Sequence, residues 1–161
     1  MTLLKHYLGK RGRRLLVTVV GLLWALSLCF DVAHVGGGEQ QVIGPGLFVL
    51  VGGWMGILMA EYDWVANPAL IFLMLIIWDE EGYPKVSWML MLAVSSIFFK
   101  NLFRDSWING TAPTPYPIER FDAGFYLWMA ALASGCVLGL ISVLKPEWLG
   151  KPRSTSARET A

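Results

Sequence analysis

Apolar residues along this chain gather into five long blocks, separated by short polar or Gly- and Pro-rich stretches. The first runs from about Leu15 to Val35 and the second from about Val42 to Ala60. The third is Ala69–Trp78, the fourth Val86–Phe99 with a possible extension to Phe103, and the fifth about Ala123 to Leu144. The blocks are continuous rather than alternating or striped. Helices that are apolar all round belong in lipid or deep inside a large protein. The pattern predicts an all-α fold, a polytopic transmembrane helical bundle.

A helix needs roughly 20 apolar residues to cross about 30 Å of hydrocarbon. Blocks one, two and five have that length. Block four reaches it only if Lys100 snorkels and the helix continues to Phe103. Block three is too short unless it begins near Trp64 and the bilayer thins around it. The expectation is four full spans, with one of the five blocks short or irregular, most simply the stretch Trp64–Trp78. The chain then divides into a basic tail over residues 1–14, a transmembrane helical region over 15–144, and a polar tail over 145–161 with the composition of a disordered segment.

Charge changes this picture by giving it a direction. Nine of the 13 Lys and Arg residues lie in the two tails: Lys5, Lys10, Arg11, Arg13, Arg14, Lys145, Lys151, Arg153 and Arg158. Ten of the 12 acids lie between Asp31 and Asp122. Cations at both ends and acids between them predict both termini on the cytoplasmic side. A nucleic-acid role is a poor reading of the basic N-terminus, which abuts an apolar block. The hydrophobic fraction of 55% exceeds what a soluble domain of 161 residues can hide. The N-terminal block has the shape of a signal sequence but offers no good small-x-small cleavage site, so it reads as an uncleaved first span.

The loops carry turn signals. Gly36-Gly37-Gly38-Glu39-Gln40-Gln41 reads as a flexible polar turn, and Asn109–Pro117 as an extended Pro-rich loop. Asn67-Pro68 reads as a helix start, with Asn67 capping through its side-chain oxygen and Pro68 in the first turn. Trp64, Trp78, Trp107, Tyr116, Tyr126 and Trp148 lie at block ends, where amphipathic rings settle at the headgroup level.

Two sets of small residues recur every fourth position: Gly52, Gly56 and Ala60 in block two, and Ala131, Gly135 and Gly139 in block five. Such faces let helix backbones approach closely. The candidate polar site comprises Asn67, Glu61, Asp63, Asp31 and His34. Asp31 and His34, three apart, would share a helix face and could relay protons or bind a metal; the plainer reading is a wetted pair at the interface. Glu61 and Asp63, with Asp79, Glu80 and Glu81, form an acidic rim around the third block, a cation-attracting mouth or simply solvated loop charge. No carboxylate lies mid-block, which weakens an ion-coupled transport reading. Cys29 and Cys136 are far apart and lack ligand spacing. No phosphate loop, nucleophile elbow or zinc motif is present, so no catalytic residue, metal or cofactor is assigned.

Gly53-Trp54-Met55-Gly56, Asp63-Trp64-Val65-Ala66-Asn67-Pro68-Ala69-Leu70 and Gly124-Phe125-Tyr126-Leu127-Trp128 together resemble an uncharacterised group of small bacterial multi-pass membrane proteins. That group has a Gly-Trp-x-Gly helix, an aromatic-x-Ala-Asn-Pro junction and a Gly-Tyr-Tyr-Leu-Trp helix start. The likeness covers roughly Gly44 to Leu144. The chain departs from it in the acidic loop Asp79–Lys85 and in Phe125 where the group has tyrosine. The resemblance implies a bacterial inner-membrane location and no particular activity. The function expected is a non-enzymatic accessory or small oligomeric membrane component. Its partners would be the lipid bilayer and a second copy or another membrane protein, with no nucleic acid. A small transporter or channel using the Asn67-Pro68 break, and an intramembrane enzyme using Asp31 and His34, are the alternatives.

Overall fold

The computed structural model describes residues 2–36, 41–55, 62–79, 84–107 and 116–144. Helix α1 spans Thr2–Ser27 and leads into strand β1, Asp31–Val35. Strand β2, Gln41–Pro45, runs directly into the short helix α2, Gly46–Gly52. A 3-10 turn at Asp63–Val65 opens helix α3, Ala66–Trp78. Helix α4 spans Pro84–Leu102; strands β3, Ser106–Trp107, and β4, Tyr116–Phe121, follow, and helix α5, Ala123–Leu144, closes the described chain.

Two observations overturn the four-span, all-α expectation. The first is an antiparallel sheet built on β1. It pairs β2 on one side, with Ala33 opposite Ile43, and β4 on the other, with His34 opposite Arg120; the two-residue β3 adds to the far edge of β4. The end of the first apolar block and the start of the second are therefore strands. Val32, Ala33 and Val35 are all buried in the sheet, so β1 carries an apolar run with little alternation to betray it. Pro45 fits at the end of the edge strand β2, where a missing N–H leaves the ladder intact; the Pro117 carbonyl accepts from the Gly36 amide at 2.9 Å.

The second observation is helix length. Helix α2 has 7 residues and α3 has 13, so at 1.5 Å per residue they reach about 10 and 20 Å, short of the hydrocarbon thickness. The 26-residue α1 spends its first half on Lys5, Lys10, Arg11, Arg13 and Arg14. Helix α4 carries Lys85 and Lys100 near its two ends. Among the described residues only α5, with 22 residues, is long and apolar enough to cross a membrane by length and composition. The Gly36–Gln41 turn lies mostly outside the described residues, as do the loop 109–115 and the tail 145–161.

Contacts fix the helix directions. Trp24 near the end of α1 meets Asn67 at the start of α3, and Arg14 stacks on the ring of Trp78 at the end of α3, so α1 and α3 are antiparallel. Ser95 of α4 meets Cys136 of α5, and Met91 lies against Gly139, so that pair is antiparallel too. Trp128 reaches Asn67 while Gly135 meets Leu70, so α3 and α5 run parallel. The start of α1 and the end of α5 therefore share one end of the bundle, and the sheet caps the other. The basic stretch of α1 is continuous helix, and Arg13 within it is 2% exposed. Leu70, Leu73, Ile77, Val94 and Leu132 form the fully buried centre.

Candidate functional site

At the sheet end, four helix termini converge: the end of α1, the start of α3, the end of α4 and the start of α5. Helix α2 lies across them, held by hydrogen bonds from the Gly46 amide to the Phe30 carbonyl and from the Leu47 amide to the Leu28 carbonyl, both 3.0 Å. Between these pieces is a cavity of about 140 Å³. Its walls are mostly apolar, from Leu28, Val32, Val49, Leu50, Phe125 and the Trp128 ring, and its floor is polar, from Asn67, Asp63, Asn101 and Arg104.

The floor is organised by Asn67, which is buried. Its Oδ1 accepts the indole N–H of Trp24 at 3.0 Å and of Trp128 at 3.1 Å. Its Nδ2 donates to the Trp64 carbonyl at 3.3 Å. Three helices thus meet on one amide. The expected capping role is corrected: the residue before α3 is Val65, no side chain caps this helix, and the Asn67 oxygen serves the two indoles instead. Trp64 turns its Nε1 to the Leu50 carbonyl at 2.7 Å and so fastens α2 to the 3-10 turn.

Beside Asn67, Asp63 receives two cations from α4 and its exit. Arg104 Nη1 donates to Oδ2, and Lys100 Nζ is 3.2 Å from Oδ1. Arg104 is pinned further by donating to the Ser106 carbonyl at 3.0 Å and to Asn101 Oδ1 at 3.3 Å. Asn101 in turn donates to the Ile97 carbonyl at 2.9 Å. Asp63 and Arg104 side chains are largely buried, so water screens their pairing weakly.

Asp31 and His34 lie on strand β1, not on a helix, and residues three apart on a strand point to opposite faces. Asp31 is exposed. His34 sits between the ends of β4 and α5, its Nε2 3.0 Å from Asp122 Oδ2 and 2.9 Å from Arg120 Nη2. Of the acidic rim, Asp63 precedes α3 and Asp79 follows it, at opposite ends of that helix, while Glu61, Glu80 and Glu81 lie outside the described residues. Among the described residues no group of three metal-ligating side chains converges.

The small-residue faces divide. Ala131, Gly135 and Gly139 are all buried on α5. A Cβ at Gly139 would stand 3.0 Å from Met91 Cγ, and one at Gly135 would overlap Leu70 Cδ1. This face seats α5 on α3 and α4 within the chain. In block two, Gly56 and Ala60 lie outside the described residues, and around Gly52 there is open space. The close contact there belongs to Gly53, where a Cβ would stand 2.8 Å from Trp64 Cδ1. At the head of α5, Gly124 sits against backbone; a Cβ would lie 2.5 Å from the Phe30 carbonyl oxygen and 2.6 Å from that of Asp31.

The residues that sequence reasoning missed are Trp24, Trp128, Asn101, Lys100 and Arg104. One signal was available: Lys100 and Arg104 are two cations close together where the fourth apolar block ends. Comparisons with protein-family models, curated proteins and solved structures found no match.

Proposed function

We propose that this protein is a non-catalytic membrane component, anchored by α5, whose sheet-capped end presents a binding cavity and whose apolar outer faces meet lipid or a membrane partner. One observation carries the non-catalytic reading. The acidic and acceptor groups of the cavity floor are engaged: Asn67 Oδ1 with two indoles, Asp63 with two cations, Asn101 Oδ1 with Arg104. A nucleophile or general base needs a group poised toward a reactant. His34, the other candidate base, is on the sheet and is not among the residues lining the cavity.

The membrane reading rests on α5. Only 33% of its most apolar stretch is buried inside the fold, and Val137, Leu140 and Leu144 turn outward. Its neighbours add to the same apolar exterior through Phe72, Leu75, Met89 and Leu92. Large contiguous apolar surface marks lipid or protein contact. The basic end, with Arg14 on α1 and Lys145 following α5 in sequence, suits the cytoplasmic face of a bacterial inner membrane.

Cross-linking in native membranes, followed by detergent extraction, tests the accessory reading. A discrete cross-linked species, either a second copy or one defined membrane protein, is expected. A chain that remains strictly monomeric and uncross-linked at every reagent concentration overturns it.

A further inference from the structure

The cavity at the sheet end has a size and polarity that select a ligand class, and this inference stands on the cavity alone. A void of about 150 Å³ lined by apolar side chains accommodates a ring of six carbons, and this one is about 140 Å³. Its walls offer Leu28, Val32, Val49, Leu50 and Phe125. The charges at its floor are already matched, Asp63 against Arg104 and Lys100. A charged ligand would have to break that pairing or be buried without compensation, which is costly. One polar feature of the floor still calls for a partner. Asn67 has two amide N–H groups, Nδ2 donates to the Trp64 carbonyl, and the side chain is buried against the cavity. The remaining N–H is a donor, so the complementary ligand group is a neutral oxygen acceptor.

We infer that this cavity binds a neutral amphiphile, an alkyl group of about six carbons ending in a hydroxyl, ether or ester oxygen, with the oxygen toward Asn67 Nδ2 and the chain against Val49, Leu50 and Phe125. The chemistry is shared by the ester region of a lipid and by a free small alcohol or ester. Trp64 and Trp128 line the cavity and report occupancy directly, because bromine quenches indole emission on contact.

The test titrates the full-length, detergent-purified chain with 6-bromohexan-1-ol, 1-bromohexane and 6-bromohexanoate while following tryptophan emission. The expected result is saturable quenching by the alcohol. Binding should be about three- to tenfold weaker for 1-bromohexane, which lacks the acceptor, and weaker by tenfold or more for the carboxylate. Val49→Phe and Leu50→Phe, which fill the cavity, should abolish the saturable component. Displacement of the alcohol by dihexanoyl phosphatidylcholine assigns the site to a lipid ester, and saturable quenching that resists displacement assigns it to a free alcohol or ester; both support the site. Linear quenching, or equal affinity for all three probes, overturns the proposal even if the filled variants fail to fold. So does saturable quenching unchanged in a folded filled variant.

Discussion

The amide oxygen of Asn67 accepts the indole N–H of Trp24 at 3.0 Å, joining residues 43 positions apart in the chain. Trp128 reaches the same oxygen from 61 positions away. A single side chain thereby ties α1, α3 and α5 at the floor of the cavity. Asn67→Leu keeps the volume but strands two half-buried donors. It should destabilise the fold by about 1–3 kcal/mol, the cost of leaving buried polar groups unmade. Denaturant unfolding of Asn67→Leu, Trp24→Phe and the double variant checks this. The double variant should cost less than the sum of the singles, because the Trp24 bond is lost only once.

Asp63 stands against Arg104 and Lys100, and the Arg104 side chain is only 10% exposed. Asp63→Asn should cost about 3–5 kcal/mol, the range for stranding a buried charge. The sign of a second substitution is the sharper test. Asp63→Asn with Arg104→Met should be more stable than Asp63→Asn alone, because the uncompensated guanidinium is gone. Thermal unfolding of the three variants in one detergent reads the order.

The tight glycines rank by what they touch. At Gly124 the obstacle is the backbone of Phe30 and Asp31, which cannot rotate away; at Gly135 it is one methyl of Leu70; at Gly52 there is open space. Substitution by alanine should therefore destabilise most at 124, less at 135, by about 1–3 kcal/mol as overpacking does, and be neutral or slightly stabilising at 52, near the end of a helix. A melting-temperature series checks the order, and Gly52→Ala as the worst of the three would refute the packing assignment.

Val137 projects from the outer face of α5 and is exposed in the fold. In hydrocarbon, Val137→Asp costs about 2.5–3.5 kcal/mol of insertion free energy; on a water-facing helix the same change is nearly neutral. Reduced membrane retention of Val137→Asp, against unchanged retention of Val42→Asp on the sheet, is the expected outcome by fractionation.

How much of this was legible depends on where the signal is local. Helix α5 is plain in the sequence, because an uninterrupted apolar run is bounded by Asp122 and by Lys145-Pro146. Helix α4 is nearly so, and its true end at Leu102 falls between the two expected ends. Strand β1 was hidden because Val32, Ala33 and Val35 extend the apolar run of α1 without a break, and only the following glycines hint at a turn. Strand β4 carries alternation in Tyr116–Phe121, but Pro117 disguises it as loop. Asp63 and Asn67 were recognised as polar and close in sequence. What they bond to, Arg104, Trp24 and Trp128, is set by the chain's return from distant segments, and no local pattern carries that.

The proposed anchor is α5, lying in hydrocarbon with its outward face against acyl chains. Alkaline carbonate extraction of membranes from expressing cells tests this directly. The chain should stay in the pellet and be released only by detergent. Release into the carbonate supernatant, with the protein folded and monodisperse without detergent, would contradict it.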